Sequence, residues 1–401
     1  MAPKRASEAA ANPAQSHVRV ELKRRFDLKV WAGAVAFLQV FLFFSHWFIY
    51  HTLISFWPTF LPLSPNVASY LWAILFLLSI SFVVAALLSF RFANGLVALV
   101  YTIAATWLGF LNFLFCGACL CWIVALVAQL ISTDAATAAR PVIGSAVFGL
   151  ALLTGIYGLI NARFIRERRV TVTLPNLPET WRGRTALLIT DLHLGNVNAA
   201  AFSRRIAAIA ERLNPSVILF SGDVYDGSKA DPAHLAGPLF KLAPPFGMYF
   251  CGGNHEDFGN PAEYSATLTQ GGIRVLHNER VIVDGLQLIG ISYADSTYPA
   301  QLHSYLDSLH LAAGPASILL NHVPHRLPIV ERSGVSLQLS GHTHGGQIFP
   351  FTLVTRWIYG KFTYGLHRFG DLQVLTSSGA GTWGPPMRVG THPEVVLITF
   401  A

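Results

Sequence analysis

Hydropathy divides the chain into two parts near residue 170. The first part contains four long apolar segments, at residues 30–50, 70–90, 95–131 and 142–160. Each reaches, or nearly reaches, the roughly 20 residues that a helix needs to cross about 30 Å of hydrocarbon. Between Trp31 and Asn161 the only charged residues are Arg91, Asp134 and Arg140. The pattern predicts an α-helical transmembrane domain at residues 30–162, after a basic N-terminal segment at residues 1–29.

The third apolar segment, residues 95–131, is longer than one crossing requires. As a helix it would extend about 55 Å, so it is either one tilted span with an overhang or two crossings with a turn near residues 116–119. Basic residues favour the cytoplasmic side and flank the apolar part at both ends: Lys23, Arg24, Arg25, Lys29, Arg163, Arg166, Arg168 and Arg169. Two ends on one side require an even number of crossings. We therefore expect four spans in an inner (cytoplasmic) membrane, followed by a cytoplasmic domain.

Ionisable residues are nearly absent from the apolar segments. Charged side chains inside a membrane usually mark ion or substrate pathways. We therefore expect these helices to act as an anchor or a lipid-binding wall. His46 and His51 are expected at the membrane interface rather than as ligands.

After residue 170 the apolar residues form short runs typical of buried β-strands. The predicted strands are residues 170–174, 186–190, 216–220, 248–251, 286–292, 317–320, 337–340, 372–377 and 395–400. A helix with clear periodicity is predicted at residues 200–213, and weaker helical signals lie at 233–242, 261–270 and 298–309. This alternation predicts an α/β or α+β domain at residues 170–401.

Five of the predicted strands are followed by Asp, His or Asn, usually beside a glycine. The carboxyl ends of strands are where ligands collect in sheets of this kind. Buried unpaired ionisable groups are costly, so five such placements are hard to attribute to packing. The candidate residues are Asp191, His193, Asp223, Asn254, His322, His342 and His344.

The chemical types of these side chains indicate a metal site. Carboxylates, imidazoles and one amide suit borderline divalent metals such as Mn, Fe or Zn, rather than Ca or an all-thiolate site. Seven ligands are too many for one tetrahedral ion but suit two ions that share a bridging carboxylate. If residues 341–344 are locally extended, His342 and His344 point the same way and can each bind a different ion. The glycines around them allow close backbone approach.

Composition and charge indicate which partners the protein favours. Hydrophobic residues make up 53% of the chain and charged residues 12%, too apolar for an ordinary soluble protein. The net charge is +7, but there are 13 Lys/Arg against 5 Asp/Glu before Val170 and 15 against 16 from there on. The excess positive charge therefore lies in the apolar part, which argues against nucleic acid and suits an anionic membrane surface. The four cysteines show no disulfide or zinc-finger spacing.

In this order, the polar motifs resemble the calcineurin-like metallophosphoesterase family. Its pattern of D-x-H, G-D, G-N-H, a later His and G-H-x-H is matched by residues 191–193, 222–223, 253–255, 322 and 341–344. The stretches "GHTHGGQ" and "SSGAGTWGPPMRVGTHPEVVLITF" resemble the bacterial membrane-anchored phosphodiesterase branch of that family. The resemblance covers roughly residues 185–401 and implies a two-sheet αββα sandwich.

The resemblance also implies a role for each motif residue. One metal ion would be bound by Asp191, His193 and His344, and a second by Asn254, His322 and His342, with Asp223 bridging both. His255 matches the catalytic histidine, which protonates the leaving oxygen or steadies the phosphoryl group. Asp226 either orients a neighbouring residue of the site or is a plain turn residue. The implied cofactors are two divalent ions, Mn, Fe or Zn, with Mn favoured.

The substrate is less well defined than the reaction. Four membrane spans are excessive for a soluble substrate, so we expect hydrolysis of a phosphodiester or pyrophosphate in a lipid-linked substrate at the cytoplasmic leaflet. The resemblance implies UDP-2,3-diacylglucosamine, from lipid A synthesis, as one specific candidate. Three alternatives stay open: a phosphodiesterase of soluble substrates, a phosphoesterase domain that regulates a membrane transporter or receptor, and a domain that binds metal and a partner without catalysis.

The segment at residues 348–369 mixes aromatic residues with cations directly after the metal-site histidines. The aromatic residues are Phe349, Phe351, Trp357, Tyr359, Phe362 and Tyr364, and the cations are Arg356, Lys361 and Arg368. Such a composition is typical of a loop that rests on lipid headgroups. It is equally consistent with packing against a sheet.

Overall fold

The computed structural model describes residues 13–58, 61, 63–311 and 314–401 of the chain. Its first part consists of four long helices: α1 (Pro13–Ser55), α2 (Pro65–Ser89), α3 (Gly95–Gln129) and α4 (Thr133–Asn161). Each contains a stretch long and apolar enough to cross a membrane. The predicted basic segment falls partly on residues 1–12, outside the described residues, and its remainder lies within α1.

Helix α3 is continuous over 35 residues, so the chain does not turn at residues 116–119. Hydrogen bonds join the helices inside the bundle. Trp107 donates to Nε2 of His46 over 2.9 Å, and Trp122 donates to Oγ1 of Thr52 over 2.9 Å. The side chain of His46, expected at the membrane interface, is buried inside the bundle: it is only 2% exposed and has bonding partners on both ring nitrogens.

The second part of the chain alternates strands and helices. Its first half contains β1 (Arg166–Val172), β2 (Thr185–Ile189), α5 (Ala200–Leu213), β3 (Val217–Ser221), α6 (Pro232–Ala236), β4 (Met248–Cys251), α7 (Asn254–Phe258), α8 (Pro261–Gln270) and β5 (Ile273–Val275). Its second half contains β6 (Glu279–Val283), β7 (Leu286–Gly290), α9 (Tyr293–Thr297), α10 (Pro299–Ser308), β8 (Ser317–Leu320), α11 (Leu327–Arg332), β9 (Leu337–Ser340), α12 (Phe351–Tyr359), β10 (Gly365–Phe369), β11 (Leu372–Thr376) and β12 (Glu394–Phe400).

The strands form two six-stranded sheets that pack face to face. One has the order β1-β12-β2-β3-β4-β5 and the other β10-β11-β9-β8-β7-β6. Apolar side chains from both sheets, such as Leu188, Leu219, Ile318 and Leu339, meet in one buried cluster. Helices α5, α6 and α8 cover the outer face of the first sheet, and α10 and α11 that of the second. The αββα sandwich expected from the sequence is confirmed.

The sandwich is joined to the helical bundle by a short segment before β12. Met387 is fully buried in a cluster with residues of α1, α3 and α4. Asn161 at the end of α4 donates to the carbonyls of Arg388 and Thr391 over 2.9 and 2.8 Å. The backbone N–H of Arg388 donates to the carbonyl of Gly158 over 3.0 Å. The two parts therefore share a packed, hydrogen-bonded interface.

Replacing Gly158 with Leu is expected to weaken this interface. A side chain at Gly158 would overlap Val389 and press on Met387, whereas Gly149 on the same helix has open space around it. Overpacking of this kind costs about 1–3 kcal/mol. Thermal unfolding of the detergent-solubilised protein should show a lower transition temperature for Gly158→Leu, with Gly149→Leu close to the parent. Equal transition temperatures for the two variants would show that the interface contributes no stability.

Candidate metal centre

The seven candidate ligands converge at one edge of the sandwich. Strands β2, β3 and β4 are parallel neighbours in one sheet, and β8 and β9 in the other, so their carboxyl ends meet at the same place. Six of the seven residues are buried, and His342 is half-buried. The structure therefore brings together all the residues that the sequence singled out.

Asp191, His193 and His344 form the first group. Nε2 of His193 lies 3.0 Å from Nε2 of His344, and Nε2 of His344 lies 3.6 Å from Oδ1 of Asp191. One donor atom from each residue lies within 4.8 Å of the others, close enough to hold one metal ion.

Asp223, His322 and His342 form the second group, with the same 4.8 Å limit. Nε2 of His322 lies 3.0 Å from Oδ2 of Asp223, and Nδ1 of His342 lies 2.9 Å from Oδ1 of Asn254. The carboxylate of Asp223 also approaches Nε2 of His193 at 3.8 Å. It therefore lies between the two groups, as a bridging ligand would.

The donor atoms face one another in a way that requires a cation or a proton between them. Nδ1 of His322 donates to the carbonyl of Ser221 over 2.8 Å, which leaves the Nε2 lone pair directed at Asp223. Two electron-rich atoms at 3.0 Å repel unless positive charge lies between them. The buried Nδ1 of His193 has no hydrogen-bond partner. Carboxylate, imidazole and amide donors in this arrangement fit divalent metal ions.

The pKa values of these side chains also indicate that positive charge stabilises the centre. Burial opposes ionisation of His322, yet Asp223 raises its pKa to about 10. Burial alone would raise the pKa of Asp223, but His322 and then His193 bring it well below its usual range. Burial raises the pKa of Asp191 to about 6, and burial followed by His322 lowers that of His342 to about 3. Without an ion, a proton on His322 therefore supplies the positive charge beside Asp223, whereas His342 stays neutral, as a metal ligand must be.

The backbone at the centre is strained. Asp191, His193, Asp223, His342 and His344 all have positive φ, between 46° and 65°. Non-glycine residues rarely adopt this region, and each such residue costs about 1–3 kcal/mol. Strain concentrated on five of the seven candidates indicates that the fold maintains the positions of these side chains at the expense of stability.

Two motif glycines allow the close approach that the sequence suggested. A Cβ atom at Gly341 would overlap the carboxylate of Asp191, and one at Gly253 would overlap that of Asp223. Neither neighbour can move without displacing a candidate ligand. Any side chain in place of the glycines of the G-H-x-H and G-N-H motifs would therefore clash with a candidate ligand.

His255 lies beside the second group with one ring nitrogen already engaged. Its backbone N–H donates to Oδ1 of Asp223 over 2.9 Å, and its Nδ1 faces the carbonyl of Asp226 at 3.1 Å. That carbonyl accepts the Nδ1 proton, which leaves Nε2 free for proton transfer. The Asp226 carboxylate instead accepts the N–H groups of Asn196 and Ser228. Asp226 therefore has both of the roles considered for it: its side chain stabilises a turn, and its backbone carbonyl orients His255.

Sequence reasoning missed three residues that hold the centre together. The buried Glu256 accepts the backbone N–H groups of Asp223, Tyr225 and Gly253. The side chain of Gln347 bonds to backbone groups of Trp383 and Pro385. The only sequence signals for these two residues were that Glu256 directly follows the G-N-H motif and that Gln347 lies shortly after the G-H-x-H motif.

Arg388 is the third of these residues. Its fully buried guanidinium donates to Nδ1 and the carbonyl of His344 over 3.1 and 2.9 Å. It also donates to the carbonyls of Ser378, Gly379 and Gly381. Because the same residue bonds through its backbone to Gly158 of α4, it links the helical bundle to a candidate ligand.

Replacing Arg388 with Ala is expected to weaken the first group of ligands. Loss of a residue that orients a metal ligand typically costs about 10–100-fold in metal affinity or activity. The measurement is the Mn²⁺ concentration that gives half-maximal activity. Arg332→Ala, which removes an exposed arginine on α11, should leave that concentration unchanged. An unchanged requirement in Arg388→Ala would show that the arginine only fills space.

Aromatic side chains surround the entrance to the centre. The ring of His255 lies 5.1 Å from that of Phe258 and 5.8 Å from that of Trp383. Phe258 is 61% exposed and Trp383 58%. Tyr359 contacts His342 from the other side at 6.2 Å. The buried polar centre therefore has an exposed aromatic rim.

The aromatic segment at residues 348–369 divides between the two roles considered for it. Phe362 packs against the outer cluster of the second sheet, and Tyr364 donates to Glu394. The middle of the segment is instead a helix, α12, with no buried residue. Trp357 on this helix is 85% exposed, and Phe351 51%.

Comparison with known proteins agrees with the site. Residues 184–346 match the calcineurin-like phosphoesterase family. A transmembrane protein with metallophosphoesterase domain from Danio rerio is 30% identical over 363 residues, which cover 84% of this chain and 82% of that protein. An uncharacterized metallophosphoesterase of Aquifex aeolicus (strain VF5) is 29% identical over 257 residues, 63% of this chain and 97% of that protein. The fold and the site therefore define a metal-dependent phosphoesterase.

The chain belongs to the calcineurin-like metallophosphoesterase family. The similarity to the Danio rerio protein extends beyond the sandwich, because a match over 84% of the chain must include apolar helices. Four helices of this kind, together with a transmembrane relative, indicate a membrane protein in a lipid bilayer.

Proposed function

We propose that this protein uses two divalent metal ions to hydrolyse a phosphodiester or pyrophosphate bond in a lipid-linked substrate. Asp191, His193 and His344 bind one ion, Asn254, His322 and His342 bind the other, and Asp223 bridges them. Mn is favoured over Fe and Zn. The catalytic domain faces the cytoplasmic leaflet of an inner membrane, as the flanking basic residues suggest.

Two ions bound in this way would lower the pKa of a water molecule and offset the charge of the phosphoryl oxygens. The protein contributes position and proton transfer. Asp223 accepts the backbone N–H of His255, so the bridging carboxylate and the histidine are oriented together. With Nδ1 engaged by Asp226, His255 delivers a proton from Nε2 to the leaving oxygen.

A covalent cysteine intermediate has no support at this site. Cys251, at the end of β4, is fully buried. Burial raises the pKa of its thiol to about 12, so it stays protonated and unreactive. Direct attack by water is therefore the reaction that these residues favour.

The proposal of a lipid-linked substrate rests on one observation. An exposed apolar surface lies between the metal centre and the transmembrane helices. Asn112, half-way along α3, donates to the carbonyl of Phe349 just before α12. Helix α12 therefore lies beside the middle of a span rather than beyond its end. Its exposed residues Leu353, Val354, Trp357 and Ile358 have no partner within the described residues that would cover them. Lipid chains are the surroundings that suit such a face.

Hydrolysis of UDP-2,3-diacylglucosamine and of a soluble diester by the purified full chain tests this proposal. With Mn²⁺ in mixed micelles, the value of kcat/KM should be higher for the diacylated compound than for bis(4-nitrophenyl) phosphate. Faster turnover of the soluble compound would favour the alternative of a soluble substrate. Hydrolysis of neither would leave binding without catalysis, or regulation of the membrane domain, as the remaining functions.

The apolar face of α12 can be tested separately. Replacing Trp357 and Leu353 with Gln should lower the ratio of kcat/KM for the lipid substrate to kcat/KM for the soluble substrate by about tenfold or more. The reason is that burying one such apolar side chain in lipid contributes about 1.5–3 kcal/mol, which the Gln variant loses. Ile282→Gln provides a control, since this residue is as exposed as Leu353, at 60%, and lies on edge strand β6. An unchanged ratio in the α12 variant would contradict lipid contact by this helix.

A further inference from the structure

A cleft of about 500 Å³ lies between residues of the helical bundle and residues of the sandwich. We call it the interface cleft. Its main lining residues are Thr102, Thr106, Arg163, Phe202, Arg205 and Thr382. None of the seven candidate ligands lines it.

Backbone contacts separate the interface cleft from the metal centre. Gly381, in the cleft wall, donates through its N–H to the carbonyl of Asp191 over 2.8 Å. The carboxylate of Asp191 faces the opposite way, towards the N–H of His342. A ligand in the cleft therefore meets the wall that contains Gly381 and not the metal-binding oxygens of Asp191.

Two arginines give the interface cleft an unbalanced positive charge. Arg205 on α5 donates to the backbone carbonyl of Arg163 over 2.6 Å, so the two residues are adjacent. Neither pairs with a carboxylate among the described residues, whereas Arg212 on the same helix pairs with Glu167. Two arginines that line one cleft without a carboxylate partner are suited to binding a phosphate.

The remaining walls of the interface cleft are suited to hydrocarbon. Leu159, Val197, Phe202 and Pro386 line it. Phe164, next to Arg163, is 65% exposed at the end of the last apolar helix. Arginine beside an exposed aromatic residue at the end of a span is typical of the headgroup level of a bilayer.

We propose that the interface cleft binds an anionic phospholipid that is not the substrate. Arg163 and Arg205 hold the phosphate of the headgroup, and an acyl chain lies against α3 and α4. The hydroxyls of Thr102 and Thr106, which donate to carbonyls of their own helix, keep lone pairs that accept from headgroup hydroxyls. Because both the bundle and the sandwich contribute to the cleft, the bound lipid fixes the catalytic domain on its membrane anchor.

Lipid retention by the full-length protein tests this proposal. The detergent-solubilised protein is titrated with phosphatidylglycerol, and the fraction that keeps one lipid is measured by native mass spectrometry. The variant Arg163→Gln/Arg205→Gln should bind the lipid about thirty-fold more weakly, at about 1 kcal/mol for each arginine lost. The control variant Arg169→Gln/Arg204→Gln removes the same charge from exposed positions outside the cleft and should bind like the parent.

Further measurements separate the possible outcomes. Arg163→Lys/Arg205→Lys should recover most of the affinity if charge attracts the headgroup, and its far-ultraviolet circular dichroism should match that of the parent. Phosphatidylcholine and inorganic phosphate should each bind at least tenfold more weakly. Equal retention by the cleft variant and the control would overturn the proposal, as would phosphate that competes as well as the lipid. Retention does not depend on turnover, so the result is independent of the proposed reaction.

Discussion

Replacing Asp223 with Asn is expected to abolish turnover while the protein stays folded. The change keeps the shape of the side chain but removes the negative charge that faces both His193 and His322. Loss of a shared metal ligand removes several kcal/mol of transition-state stabilisation, so kcat should fall by about a thousand-fold or more. Rates with Mn²⁺ on bis(4-nitrophenyl) phosphate measure the effect.

Metal content distinguishes this explanation from general damage. The Asp223→Asn protein should retain at most one ion per chain at a Mn²⁺ concentration that saturates the parent. Asp231→Asn is the control, because Asp231 caps α6 at an exposed position and Asn is an equally good cap. Full occupancy and full activity in Asp223→Asn would mean that this carboxylate does not bridge the ions.

Replacing His255 with Ala is expected to slow hydrolysis according to the leaving group. A histidine that protonates the leaving oxygen typically contributes about 10²–10⁴-fold. For an alkyl phosphodiester, whose alkoxide needs a proton, the variant should lose that whole factor. For bis(4-nitrophenyl) phosphate, whose nitrophenolate leaves readily without a proton, the loss of kcat should be much smaller. The measurement is kcat for both substrates at saturating Mn²⁺.

The pattern of losses identifies the role of His255. An equal loss on both substrates would indicate that His255 steadies the phosphoryl group, and a fall in metal content would indicate a ligand, since His255 also lies within ligand distance of His193 and Asp223. His234→Ala removes an exposed histidine on α6 and should match the parent on both substrates.

Sequence predicted the buried parts of the fold best. Helix α5 spans the residues that its periodicity indicated, because one face of it packs Ile206, Ala207 and Ala210 against the sheet. Strands β2, β3 and β8 are buried on both faces, so they read as continuous apolar runs. The short strands β5, β6 and β10 were missed, since each is exposed along part of its length and lacks such a run.

The boundary between the two parts was less visible in the sequence. Strand β1 begins at Arg166 rather than at the predicted Val170. The sequence did not show this earlier start because Arg166, Glu167 and Arg169 are exposed and charged and so give no apolar alternation. Helix α12 was also missed, since its apolar residues face outward and therefore give no signal of an ordinary packed helix.

The convergence of the candidate ligands was predictable because metal chemistry restricts residue type and because strand ends meet at one edge of the sheets. The supporting residues were not predictable in the same way. Arg388 reaches His344 from a segment that lies 44 positions further along the chain, and nothing in its local sequence indicates that contact. The packing of Met387 into the bundle and the backbone bond from Arg388 to Gly158 position the arginine at the site.

Metal stoichiometry tests the central claim most directly. Protein stripped of metal with a chelator and reloaded with Mn²⁺ should bind two ions per chain by inductively coupled plasma mass spectrometry, and activity should return in step with the second ion. Full activity in the stripped protein, or with a single ion per chain, would contradict a centre built from these seven side chains.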